Sequence, residues 1–325
     1  MPMMAAMHVS RSARHWQTGR PSRRLFLAGG LAVAFGTTAC GRTVLSDEPA
    51  TMPSNRAAVD LIGDYSIADA TTGTRVQVTV TESLRVIRAN GLPDHTTGAF
   101  PNPDNPNSIS PQEYTFELPR KGTPANRPTA LVLPQPFGIA VNGVVFDPMA
   151  AEWYQRDPAS GWTFEAIGPG PDLGLDANLA HVQPSGAYHY HGPPQALATD
   201  HVSSAHSPLM GWAGDGFPIY GGYGYATPAD PQSGDRELRS SYRLRSGRRP
   251  NGPGGSYDGT YTEDFEYIEG SGDLDLANGR FGVTPEYPEG TYYYVLTATF
   301  PFVPRYFTGN VAASFVRSPR PGGPR

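Results

Sequence analysis

The sequence predicts an all-β or strongly β-rich fold, one large sandwich or distorted barrel domain with signs of two related halves. Three observations lead there. Several short runs alternate apolar and polar residues, as half-buried strands do. The 325 residues include 38 Gly and 34 Pro, so turns are frequent and long helices scarce. No segment keeps a 3.6-residue apolar period over three turns.

The first alternating run is 74–81 (TRVQVTVT), and 84–89 continues in the same manner. Pro, Asn and Ser break the chain over 99–112, and a second break runs over 119–128. Further strands are expected at 129–134, 139–146, 187–191, 217–220, 292–299 and 311–316. Leu175-Asp176, His181 and Pro184-Ser185-Gly186-Ala187-Tyr188-His189-Tyr190 are echoed by Leu274-Asp275, Arg280 and Pro288-Glu289-Gly290-Thr291-Tyr292-Tyr293-Tyr294. Either the two halves are related and the second has replaced its histidines, or two Gly-Tyr strands coincide by chance.

Residues 1–40 carry five arginines, Arg11, Arg14, Arg20, Arg23 and Arg24, and no acid, followed by an apolar stretch from Leu25 to about Gly36. That stretch is too short to span a bilayer and reads as the h-region of a signal peptide. Ser22-Arg23-Arg24-Leu25-Phe26-Leu27 resembles the twin-arginine export consensus at every specified position. Small residues precede Cys40, the chain's single cysteine, as at a lipoprotein cleavage site, although Thr37-x-Ala39 would also suit an ordinary signal peptidase. An exported protein normally uses cysteines in pairs, so a lone one at this position favours lipidation. The expected organisation is a signal peptide at 1–40, a flexible tether at 41–57, the folded domain at 58–317 and a disordered tail at 318–325. The expected location is the cell envelope, lipid-anchored or secreted, with the membrane as a partner through the anchor. No later segment is apolar enough to cross a membrane.

Removing the leader leaves 20 of the 25 basic residues against 30 acidic ones, a net charge near −10. Nucleic acid is excluded as a partner, because counterion release needs a clustered basic face. One basic island, between Arg236 and Arg249, lies in a Gly, Ser and Pro-rich stretch and reads as a solvated loop before an anion site.

Tyr188-His189-Tyr190-His191 carries the most chemical information. On a strand, His189 and His191 project to one face and the two tyrosines to the other. Two such imidazoles can share one metal ion, and a hairpin over Gln183-Pro184-Ser185-Gly186 would bring His181 in as a third ligand. The plain alternative is a pair of histidines satisfied by backbone carbonyls. Six histidines remain beyond the leader, His95, His181, His189, His191, His201 and His206. Four of them fall between 181 and 201, and this clustering favours metal. With Asp94, Asp176 and Asp215 as oxygen donors and His95 as a further candidate, the set suits one divalent Cu, Zn or Fe ion. Asp215-Gly216 before an apolar run reads either as a turn or as a catalytic base at the site.

The tetrapeptide resembles the signature of the YHYH family. Asn90-Gly91-Leu92-Pro93-Asp94-His95, Val141-Asn142-Gly143-Val144, Asp215-Gly216-Phe217-Pro218-Ile219-Tyr220-Gly221, and Gly290-Thr291-Tyr292-Tyr293-Tyr294 before Phe300-Pro301 extend the resemblance from about residue 85 to 310. It implies a shared fold and site and an exported or surface location, with no settled activity. The segment Asp176-Ala177-Asn178-Leu179-Ala180-His181 lacks the Cys and Gly that the resemblance leads one to expect there, which excludes a disulfide. No GxSxG, Walker loop, GxGxxG or HExxH occurs. Two functions follow as expectations: a metal site serving an oxidoreductase or hydrolase, or a non-catalytic adhesion or binding module for a small molecule or glycan.

Overall fold

The computed structural model describes residues 60–198 and 205–316. The expected signal peptide with Cys40, the expected tether at 41–57, His201 and the expected tail at 318–325 lie outside the described residues.

Strands β1 (Tyr65–Ala68), β2 (Arg75–Val80), β3 (Leu84–Ala89) and β4 (Tyr114–Pro119) form an antiparallel meander. Val76, Val78, Ile87, Phe116 and Leu118 alternate inward while their neighbours face water, the pattern that makes β2 and β3 readable. β5 (Pro124–Ala130) follows as an exposed strand.

The central sheet comprises β6 (Gly138–Ala140), β7 (Val145–Phe146), β8 (Ala180–Val182), β9 (Tyr188–Tyr190), β10 (Leu209–Ala213) and β11 (Pro218–Tyr220), completed late in the chain. Two ribbons intervene, β12 (Tyr223–Thr227) with β13 (Asp230–Glu237), and β14 (Tyr242–Leu244) with β15 (Phe265–Tyr267). β16 (Gly279–Gly282) and β17 (Thr291–Val295) then rejoin the sheet, and β18 (Tyr306–Gly309) pairs with β5. The strand order is β16-β17-β11-β10-β6-β7-β9-β8.

Both faces of this sheet are covered. Ile139, Val145, Trp212, Tyr220, Tyr293 and Val295 pack under the meander residues Val76, Ile87 and Phe116. Phe146, Tyr188, Tyr190, Ile219, Tyr292 and Tyr294 form the opposite core with Leu131, Val303 and Phe307. The fold is therefore a β-rich sandwich. Among the described residues no helix is long and apolar enough to cross a membrane.

The sheet order reads the same from either edge, and the two halves match residue by residue. β6 and β10 pair antiparallel about Ile139 and Trp212, with Gly138 opposite Ala213 and Ala140 opposite Gly211. Each leads into a three-residue turn closed by a left-handed glycine, Gly143 (φ 83°) or Gly216 (φ 87°). β7 then runs parallel to β9 with Phe146 opposite Tyr190, as β11 runs parallel to β17 with Ile219 opposite Tyr294. Before the outer hairpins, Asp176 N–H donates to the Ala180 carbonyl (2.8 Å) and Asp275 N–H to that of Gly279 (2.9 Å). Leu179 (φ 52°) and Asn278 (φ 54°) hold the same left-handed position, and their carbonyls accept from His191 and Val295 N–H. Tyr188 donates to the Asp176 carboxylate and Tyr292 to that of Asp275. Independent coincidence does not produce this many matched bonds, so the sequence echo reflects two related halves.

Four expected strands need correction: 139–146 is the antiparallel β6–β7 hairpin about a tight turn, 292–299 stops at Val295, and two more depart further. The break expected at 119–128 contains most of β5, and the strand expected at 129–134 ends at Ala130. β5 is an edge strand with nearly all side chains exposed and two prolines, so no alternation marks it. Residues 311–316 form a 3-10 turn, Ala313–Phe315, whose Phe315 stacks on Phe116 with ring centres 4.1 Å apart. The apolar residues there serve packing rather than pairing. Five of the island's six arginines are paired with acids: Arg236 and Arg239 with Asp273, Arg243 and Arg245 with Glu266, and Arg249 with Asp258 and Asp264.

Candidate metal centre

β8 and β9 place His181 directly opposite His189. His191 follows two residues later on the same strand face, and its N–H is anchored by the Leu179 carbonyl at 2.8 Å. The left-handed Leu179 thus fixes where the strand ends and where the third imidazole stands. His189 and His191 are fully buried and His181 half-buried, so the group meets solvent at His181.

The three Nε2 atoms converge. His191 Nε2 lies 3.1 Å from His181 Nε2 and 3.0 Å from His189 Nε2. The other ring nitrogens decide what these distances mean. His181 Nδ1 lies 2.7 Å from the Leu173 carbonyl, and His189 Nδ1 lies 3.1 Å from the Ala187 carbonyl. A carbonyl only accepts, so in both rings Nδ1 carries the proton and Nε2 presents a bare lone pair. His191 Nδ1 is buried without a well-formed hydrogen bond, so no carbonyl fixes the tautomer of this third ring. Backbone carbonyls that fix the tautomer in this way are the usual support of metal-ligating histidines. For bonds of about 2.0–2.1 Å, nitrogens 3.0–3.1 Å apart subtend an angle of about 95° at a shared ion. The three histidines could hold a metal ion.

Burial holds the His181 imidazole below the ordinary histidine range, with the Leu173 carbonyl opposing. His191 is held well below it, first by burial and then by the charges that His189, His181 and Arg305 would place beside it. Both rings therefore stay neutral, the form that binds metal. The sign of the pH effect follows. With folded pKa values depressed, the metal-free protein keeps its full stability above about pH 6.5, where the unfolded imidazoles are also neutral. Below that pH the unfolded chain takes protons that the folded one refuses, and stability falls by up to about 1.4 kcal/mol per pH unit for His191 alone. Urea midpoints of chelator-treated protein between pH 7.5 and 5.5 measure this. A flat profile would show that the buried rings are not held neutral.

The other candidate site residues lie elsewhere. Asp176 accepts from Tyr188 (2.7 Å), Gly98 N–H (2.9 Å) and Asn178 N–H (2.8 Å), bracing the tyrosine face of β9. His95 Nε2 meets the Tyr190 hydroxyl at 2.7 Å and its Nδ1 faces the Thr96 carbonyl, so both ring nitrogens are engaged. Asp94 accepts from Asn142, which also donates to Tyr190. Asp215 is buried at the matching place in the second half, where it accepts from Tyr294 (2.5 Å), Gly309 N–H (2.8 Å) and Phe217 N–H (3.4 Å). Burial raises its carboxyl above the ordinary range against these bonds. Asp215 and Asn142 are thus the same turn residue in two halves, each tied to the tyrosine beside it, and neither joins the histidine group. The groups that the sequence did not offer are the carbonyls of Leu173 and Ala187, because backbone donors and acceptors carry no side-chain signal.

A β sandwich whose central sheet converges three histidines, two of them tautomer-locked, defines a class of protein with a preformed imidazole cage. Residues 115–309, more than half of the chain, match the YHYH protein family, and the chain belongs to that family. The match lies within the domain span of 58–317 expected from the sequence. No curated protein and no solved structure matches the chain.

Proposed function

We propose that this is an exported, envelope-anchored protein that binds one divalent transition metal ion through His181, His189 and His191 and presents it to a small-molecule ligand. The observation that carries this reading is the convergence of the His181 and His189 Nε2 atoms on His191 Nε2 at 3.0–3.1 Å while the Nδ1 protons of His181 and His189 are committed to carbonyls. The lone pairs of His181 and His189 both face His191 Nε2, an arrangement that a shared cation satisfies. All-imidazole ligation suits Zn(II), Cu(II) or Fe(II). A bound Zn(II) would supply a water of lowered pKa for hydrolysis, and Cu or Fe a redox centre. The protein's own contribution is to keep three imidazoles neutral and oriented in a buried site whose open side is at His181.

Metal analysis of protein purified without a histidine tag, exposed in turn to each of the three ions and desalted, tests the proposal. One equivalent of one of them per chain is expected. Less than a tenth of an equivalent of every ion would reject it.

The location rests on the leader. Replacing Arg23 and Arg24 by Lys should leave unprocessed precursor in the cytoplasm, and Cys40→Ala should abolish labelling by a radioactive fatty acid and release the mature chain from the membrane fraction. Normal processing of the first variant would assign export to the general secretory route. Unchanged membrane retention of the second would remove the lipid anchor.

A further inference from the structure

The pseudo-twofold relation between the halves gives every residue of the histidine cage a counterpart. The hairpin registers set His181 against Arg280 and His189 against Tyr293, since His181 pairs with His189 across β8 and β9 as Arg280 pairs with Tyr293 across β16 and β17. His191 corresponds to Val295, because their N–H groups donate to the carbonyls of Leu179 and Asn278, the two left-handed residues. The second position is also enclosed, and it holds a cation of its own. Arg280 is buried, donates from Nε to the Tyr293 hydroxyl at 2.5 Å and from Nη2 to the Tyr225 carbonyl at 2.8 Å. Its guanidinium carbon lies 5.5 Å from the centre of the Tyr293 ring. β12 closes over the pair at Gly224, where a Cβ would come within 2.9 Å of Arg280 Nη2 and 3.4 Å of the Tyr293 hydroxyl. The first cage has a half-exposed ring at the corresponding place.

We infer that the second half carries a retired metal position, in which the Arg280 guanidinium, held by Tyr293 and covered by β12, stands where the ion of the first half would be. The inference rests on the metal reading of the first cage and extends it to a site of the same ligand class, one divalent transition ion on three imidazoles. A guanidinium supplies fixed positive charge and its own hydrogen bonds, so this half folds without an ion. The consequence for the whole protein is a single metal-dependent half on a scaffold built for two, with the exchangeable ion confined to the side that stayed open.

Grafting tests it in both directions. Arg280→His with Tyr293→His and Val295→His should raise the content from one to two ions per chain. The same graft made in His189→Ala, His191→Ala protein should bind one ion where the ungrafted double variant binds none. The reverse graft, His181→Arg with His189→Tyr and His191→Val, should bind no ion. It should also melt, in chelator, within a few degrees of chelator-treated wild type, whereas alanine at the same three positions should melt clearly lower. A folded second-half graft that gains no ion overturns the inference while leaving the first site standing. Failure of both grafts to fold overturns it as well, because equivalent positions should accept each other's residues. If wild type binds no ion but the grafted second half does, the equivalence is supported and the proposed function of the first half falls.

Discussion

Replacing His189 and His191 together by alanine should take the bound ion from one equivalent per chain to none, with the circular dichroism of the folded domain retained. Each imidazole is one of three donors converging on a single point, and metal sites of this kind bind with apparent free energies of about 10–16 kcal/mol when four ligands act together. Losing one ligand therefore removes roughly a quarter of that, a weakening of about 10²–10³-fold, and losing two leaves a lone His181 that no longer competes with buffer. Tyr190→Phe is the control. Its hydroxyl lies on the other face of β9, bonded to Asn142 and His95, so its loss should leave the metal content at one. A second readout comes from linkage: ion at about a thousand times its dissociation constant stabilises wild type by about 4 kcal/mol and should leave the double variant's melting temperature unmoved. Equal metal content in wild type and the double variant would reject the site and favour the binding-module reading.

The cage was legible in the sequence because it is local. Period-two geometry puts His189 and His191 on one face, and the Pro184-Ser185-Gly186 turn returns the chain so that His181 faces His189. The meander was legible for the same reason, since one face of β2 and β3 meets the core and the other meets water. β10, reading Leu-Met-Gly-Trp-Ala, is buried on both faces and shows no alternation, and the ribbons β12 to β15 are short or largely exposed and carry no regular inward alternation. The roles of Asp176 and Asp215 were beyond reach because their partners decide them. Asp215 is settled by Tyr294, 79 residues on. Leu179 carries no sequence sign of its left-handed backbone, which glycine or asparagine would have advertised. It is imposed by the two bonds that bracket it, from its own N–H to Asp176 and from His191 to its carbonyl.

The largest loss of stability should come from Glu165, far from any motif. Arg305, on the approach to β18, donates from Nη2 to both Glu165 oxygens, at 2.8 and 3.1 Å, across 140 residues. The side chains are 8% and 1% exposed, so neither charge has water to fall back on. Burial raises the Glu165 carboxyl above its ordinary range even with Arg305 beside it, the sign of a pair whose attraction does not recover its desolvation. Breaking such a pair is nonetheless costly, because the surviving charge stays buried. Nε and Nη1 of Arg305 already lack protein partners, so Glu165→Gln would leave the guanidinium with one weakened contact. We expect Glu165→Gln to cost about 3–5 kcal/mol in urea unfolding. Glu165→Gln combined with Arg305→Met should recover most of that loss, since the stranded charge is gone and the methionine can fill against Phe300, over which the guanidinium now lies at 5.4 Å. The double-mutant cycle separates the two ideas: additive losses would mean that each residue acts through its own packing, and a double variant near wild type that the cost lies in isolating a charge.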